Sequence, residues 1–342
     1  MLQTHRQLRT GEFRKQTEKE WQNYFWKFIK DNNLDIDDAC YYHISENENV
    51  TFDIVLNNLD KAWQWDEFAI NPNLTFDIVL QFPDKRWDWF ELSQHRCITY
   101  DIVLEYPDKP WDWYGLSRNS NITFDIIEAN LDKPWNWESL SRNPNLTFDI
   151  VLKYPDKPWD WYGISNNKNI TMDIIDKYPD KPWDWYGISS NNGITMDIIN
   201  KYPNKPWKWG AMSYNNNLSI EYVFNNIKRP WCWIGLSTNV NLTLQHILDN
   251  PDKEWEWFWI SQNPNITFND FLKNPDLPWE IDGIVSNSFK KEKEQFMERK
   301  YKEYLSAYRI QQCWDNVSTI PTHPICKRII ERNYEQMSIA CY

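Results

Sequence analysis

Chemistry by imidazole, thiol or carboxylate would have to come from few and scattered residues. The five histidines are His5, His43, His95, His246 and His323, and no two stand at a spacing that suits a metal or a proton relay. The cysteines Cys40, Cys97, Cys232, Cys313, Cys326 and Cys341 form no Cys-x-x-Cys pair. Neither a zinc site nor a disulfide framework is expected, and the thiols read as those of a reducing compartment. Only 8 of 342 residues are glycine, and no P-loop, Gly-x-Ser-x-Gly, His-Glu-x-x-His or Gly-x-Gly-x-x-Gly occurs. Carboxylates are plentiful, but each recurs beside the same neighbours. An acid–base pair needs two carboxyls in unlike environments. The expectation is therefore no catalysis and no cofactor, with no catalytic, cofactor-binding or metal residue to nominate.

What the chain has in excess is tryptophan, 23 residues, with aromatics at 17%. Trp63, Trp87, Trp111, Trp135, Trp159, Trp183, Trp207, Trp231, Trp255 and Trp279 are spaced by 24 residues throughout. A second series, Trp65, Trp89, Trp113, Trp137, Trp161, Trp185, Trp209, Trp233 and Trp257, follows two residues behind, and Ile281 replaces its tenth member. Unbroken spacing means that each unit fills the same volume and stacks on the next, which predicts a solenoid. Rows of exposed tryptophan could stack sugars or bases. Persistence of both series beside core residues favours the interior, so these tryptophans are expected to form the repeat core.

One clean copy runs from Thr147 to Ile170, TFDIVLKYPDKPWDWYGISNNKNI. Thr75, Thr99, Thr123, Thr147, Thr171 and Thr195 each open a short apolar segment and suit a helix N-cap. Asp two residues on suits the first turn, and Ile150, Val151 and Tyr154 share a helical face that Pro155 ends. Asp156 reads as a second N-cap with Pro158 in the first turn. On that helix Trp159 and Trp161 point to opposite sides. Ser165 to Asn169 closes the unit, Asn being tolerant of the left-handed conformation past a helix end. Nine Asn-x-Ser/Thr sequons are by-products of this pattern.

The expected fold is all-α, a solenoid or superhelical stack of ten 24-residue two-short-helix repeats. A helical cap is expected at each end of an open stack, because such a stack exposes two apolar faces. The segments are 1–34, an N-terminal cap; 35–285, the solenoid; and 286–342, a C-terminal cap. A degenerate half-copy, with Ala39 and Tyr41 in place of the Trp pair, precedes the array. Thr17-Glu18-Lys19-Glu20 has a capping-box pattern ahead of a stripe of Trp21, Tyr24, Phe25, Phe28 and Ile29. A charged helix is expected over 290–308, striped by Met297, Tyr301, Tyr304, Leu305 and Tyr308, and a last one over 324–337.

The iterated Pro-Asp-Lys-Pro-Trp-Asp-Trp unit, as at 155–161, and its Asn-x-Asn-Ile-Thr close, as at 167–171, carry a resemblance. The array is similar to the tryptophan-repeat proteins encoded by giant viruses of amoebae, over about residues 45–285. The resemblance implies a viral protein of the host cytoplasm or virus factory, with the virion as an alternative, and implies no activity.

The net charge of −12 disfavours nucleic acid and anionic membrane as partners. Residues 1–34 and 286–342 each carry +3, which leaves −18 on the array. No apolar run approaches a membrane span, and no apolar signal segment follows Met1, so membrane insertion and secretion are not expected. The expected function is a non-catalytic scaffold for protein–protein interactions. The alternatives are a nucleic-acid-reading solenoid and a structural virion component. Positions that vary between copies nominate a binding surface: Tyr114, Glu138, Lys153 and Lys177.

Overall fold

The computed structural model describes residues 2–34, 38–318, 322–324 and 327–328. All elements among the described residues are helical. Their contacts divide the chain into one unit of Gln22–Glu292 and another of Met1–Trp21 with Lys293–Tyr342. Most of the segment expected as a helix over 324–337 lies outside the described residues.

Within the larger unit each 24-residue copy is a pair of short helices, as the periodicity predicts. In the copy opened by Thr147 they are Phe148–Lys153 and Trp161–Asn166. The first stops before Tyr154-Pro155, because the residue ahead of a proline is driven out of the α region. The second starts later than its sequence suggests. Its N-cap is Asp160, whose carboxylate accepts from the Tyr162 amide, and Asp156 lies in a turn. The indole N–H of Trp159 donates to Tyr154 O at 2.8 Å, and the Trp159 amide donates to Lys157 O at 2.8 Å. These two bonds hold Pro-Asp-Lys-Pro as a turn, so Trp159 precedes the helix. The opposite-sides geometry inferred for Trp159 and Trp161 does not apply. The first tryptophan of all ten copies makes the same indole bond to the carbonyl five residues back.

Three ladders join copy to copy. The second Trp of each copy meets the first Trp of the next edge to face, for example Trp137 on Trp159 at 5.2 Å and 88°. The contact recurs at nine junctions, and Tyr41 makes it with Trp63. In five copies a lysine or arginine from the next turn covers the second Trp, as Lys157 does Trp137 and Arg229 does Trp209. In nine copies a buried serine near the end of the second helix accepts from a backbone amide of the next copy, as Ser141 does from Asp160 at 2.9 Å.

The third ladder is built by asparagine. Asn143 donates through its side-chain amide to Ser117 O, Asn119 O and Ile122 O of the preceding copy. The same residue of each copy bonds the carbonyl of its counterpart 24 residues earlier, from Asn71 onto Asn47 through to Asn287 onto Asn263. These asparagines are not left-handed: Asn167 has φ −73° and ψ 129°. Among the described non-glycine residues only Asn33 and Phe289 have positive φ.

The ladder then closes. The Asn47 amide donates to Val285 O at 2.7 Å and Asn287 O at 3.0 Å, the equivalents of the two bonds that Asn71, Asn119, Asn143 and most other rungs make to the preceding copy. Asn49 donates to Ser288 O in the same register. Helix Asp38–Glu46 packs against both Glu67–Ile70 and Ile281–Ser286. The stack is therefore a ring of eleven copies, in which the degenerate half-copy and the end of helix Leu2–Asp31 form the closing one. Each end of the array covers the other, and the open apolar faces expected of a stack do not arise. The seam lacks a Trp pair and has phenylalanines instead. Phe28 stacks on Phe268 at 3.8 Å, and Phe289, at φ 45°, packs on Phe25, Phe28 and Phe268.

In the second unit, residues 2–21 and 293–318 form an antiparallel helix pair. Phe13 stacks on Tyr304 at 4.4 Å, Trp21 meets Phe296 at 5.5 Å, and Lys293 and Lys300 pair with Glu18 and Glu20, each at 2.9 Å. Helix Leu2–Asp31 is continuous, so Thr17 is not a cap. Its hydroxyl donates to Phe13 O one turn back.

Two copies lack the serine: Ala69 and Val285, both fully buried, stand in its place, and at Ala69 no hydroxyl faces the Asp88 amide. Ala69→Ser restores the bond, and a net stabilisation of about 1 kcal/mol is expected. A raised urea midpoint with unchanged slope checks it.

Candidate functional site

The repeat residues nominated from the sequence are taken up by the ring. The first Trp of each pair is buried or nearly so, and the second is half-buried. Thr75, Thr99, Thr123, Thr147, Thr171 and Thr195 all hold extended backbone at N-cap positions. Of these six only the Thr99 hydroxyl accepts a cap bond, from the Ile102 amide. At the others the β-branched residue supplies backbone shape rather than a hydrogen bond.

The four residues nominated as one binding surface occupy two layers. The close helix–helix approaches around the ring are between second helices of neighbouring copies. A Cβ on Gly115 would lie 2.5 Å from Phe90 O, so backbone there meets backbone. In a closed ring the more crowded layer is the inner one. Tyr114 and Glu138 are exposed on second helices and thus on the inner layer. Lys153 and Lys177 end first helices, on the outer layer. Lys153 is also engaged, pairing with Glu128 at 2.7 Å.

The inner row around Tyr114 and Glu138 is uneven in chemistry. Near the seam it is acidic. Burial raises the Glu67 carboxyl above its ordinary range, a Tyr42 hydroxyl bond opposes this, and Asp66 and Glu46 add repulsion. His43 Nδ1 donates to the Glu46 carboxylate at 3.1 Å, and that bond raises the imidazole pKa. Across the ring the row turns basic and aromatic. Arg142 pairs with Asp160 at 2.7 Å and lies over the Tyr162 ring. Arg142, Tyr162, Lys168, Tyr186, Ser190 and Tyr214 line a groove of about 590 Å³ with Asn166 and Asn192.

Among the described residues no group of three His, Cys, Asp or Glu could hold a metal, and no helix is long and apolar enough to cross a membrane. Burial pushes the Cys97 thiol up to about 11, which makes it a poor nucleophile. No family model, curated protein or solved structure matches the chain.

His95 stands where the other copies have the ladder asparagine, and it serves as a rung. Its Nε2 bonds Asn71 O at 3.1 Å and its Nδ1 accepts from the Cys97 amide at 3.1 Å. Those two bonds require the neutral ring with its proton on Nε2. Burial lowers its pKa from the ordinary 6.5, with Arg96 adding to the effect. Between that value and 6.5 the unfolded chain binds a proton that the ring does not, so stability falls as pH falls through the window. Urea midpoints measured from pH 7.5 to 4.5 should show this loss, and His95→Asn, which restores the usual rung, should remove it.

Proposed function

We propose that the chain is a non-catalytic ring scaffold that binds other proteins along the inner row of second-helix side chains. One observation carries the reading. Residues that recur in every copy are consumed by the Trp, Ser and Asn ladders, whereas residues that vary between copies stand exposed on the inner row, among them Tyr114, Glu138, Tyr162, Tyr186 and Ile234. Tyrosine and arginine are enriched among the side chains that anchor protein interfaces, tyrosine because it buries much surface at low entropic cost and arginine because it offers a planar set of donors. The charge of −12 and the pairing of Arg142 with Asp160 leave little to hold a phosphate backbone. The sequence resemblance to tryptophan-repeat proteins of giant viruses supports placing such a scaffold in an infected host cell, in its cytoplasm or virus factory.

The test is cross-linking of the tagged protein in the cells that make it, nuclease digestion, and identification of linked polypeptides with their linked positions. Links from the inner row to one or a few polypeptides are expected, with recovery falling about tenfold in Tyr114→Ala or Tyr186→Ala, the loss of a single interface anchor. Links confined to 1–21 and the 293–342 segment, or a gel shift of RNA or DNA below about micromolar at physiological salt, well beyond non-specific binding, would overturn the reading.

A further inference from the structure

The groove from Arg142 to Tyr214 is the place on the inner row where aromatic, amide and cationic groups meet. It crosses two consecutive second helices, Trp161–Asn166 and Trp185–Ser190, with Arg142 and Tyr214 joining from the turns that follow the second helices on either side, Trp137–Leu140 and Trp209–Met212. Tyr162, Tyr186 and Tyr214 present their rings to solvent, Tyr186 being 49% exposed. No carboxylate lines the groove. Arg142 is neutralised by Asp160, while Lys168 makes no ion pair among the described residues. The groove therefore offers one uncompensated positive charge on an acidic molecule.

Its spacing is also informative. The rings of Tyr162 and Tyr186, equivalent residues of adjacent copies, are 6.3 Å apart. An extended peptide repeats its side-chain direction every two residues, about 6.6 Å. A strand-like segment laid across the second helices would thus set alternate side chains against successive tyrosines. Asn166, Asn192 and Ser190 beside them supply polar groups for its backbone. The lining is the tyrosine, serine and asparagine mixture, with one arginine, that recognises peptide surfaces in antibody loops.

We infer that this groove binds an extended polypeptide segment carrying a single acidic residue, its carboxylate on Lys168 and its alternate apolar or aromatic side chains between Tyr162, Tyr186 and Tyr214. One positive charge matches one carboxylate. A polyanion such as RNA would meet a chain of net charge −12. The inference rests on the protein-binding reading of the inner row and narrows it to one place and one ligand chemistry.

The experiment is selection of a phage-displayed library of random decapeptides against the full-length protein. Enriched sequences should carry one Asp or Glu at a fixed distance from apolar or aromatic residues in an alternating pattern. Lys168→Glu should lower their binding at least tenfold and, in a fresh selection, shift the preferred residue to Lys or Arg. Tyr186→Ala should lower binding similarly, and Leu104→Ala, an exposed residue on a first helix, should leave it unchanged. Circular dichroism checks that each variant keeps its fold. No enrichment, enrichment of peptides without a carboxylate, or binding indifferent to Lys168→Glu would overturn the inference. So would an oligouridylate decamer that binds the groove as well as the peptides do. Cross-links from other inner-row positions to a protein partner would, in any of these cases, leave the broader reading standing.

Discussion

The ring depends on one constraint: backbone carbonyls buried between short helices must find donors. Helices of six residues satisfy few of their own carbonyls, since the last four of any helix are left open. Stacking such helices buries these groups at every junction. Each copy answers with one fully or almost fully buried side chain, a ladder asparagine or His95, whose donor reaches the preceding copy. A buried carbonyl left without a donor costs about 1–3 kcal/mol. An eleven-copy stack without this rung would accumulate that cost at each junction. The aromatic contacts add surface, but surface is non-directional. The asparagine fixes the register and the distance at which it is buried.

Closure follows from the same rung. An open array has one end whose carbonyls lack a donor and another whose donor lacks carbonyls, besides two apolar faces. Asn47 and Asn49 bring the missing donors to 285, 287 and 288. What differs at the seam is the filling. Ala39 and Ile281 remove the Trp pair, and Phe25, Phe28, Phe268 and Phe289 fill that space. The positive φ of Phe289 is the local cost of placing its ring there. With register and closure held by recurrent residues, the exposed inner row is free to differ from copy to copy, and a ring of like parts gains an acidic side and a tyrosine-rich one.

Much of this was legible in the sequence. A strict 24-residue period, a proline after most first helices and an apolar stripe at helical spacing specify paired short helices. The persistence of Trp specifies where the junctions are. The second N-cap was not legible, because Asp156 and Asp160 are equally good caps until the Trp159 indole bond to Tyr154 makes a turn of the residues between. The asparagines misled because the residue suits both a left-handed turn and a ladder, and only the neighbouring copy distinguishes them. Closure depends on the small rotation between copies, which a repeat pattern does not encode. One signal for it was present: the asparagine series extends to Asn47 at one end and Asn287 at the other, one copy beyond the Trp series at its start. The inner row carried no motif, and Lys153 and Lys177 joined Tyr114 and Glu138 only because variation alone does not reveal which layer a residue occupies.

The most direct test of closure compares two equivalent junctions. Residues 48, 96, 120 and 288 occupy the same place in their copies, just past the ladder residue. Spin labels at Arg96→Cys and Ser120→Cys report an ordinary junction, and labels at Glu48→Cys and Ser288→Cys report the seam, in a background whose accessible cysteines are replaced. A closed ring predicts the same narrow distance distribution by electron paramagnetic resonance for both pairs. A seam pair that is longer or broadly distributed while the 96–120 pair stays narrow would contradict it, and the chain would be an open stack.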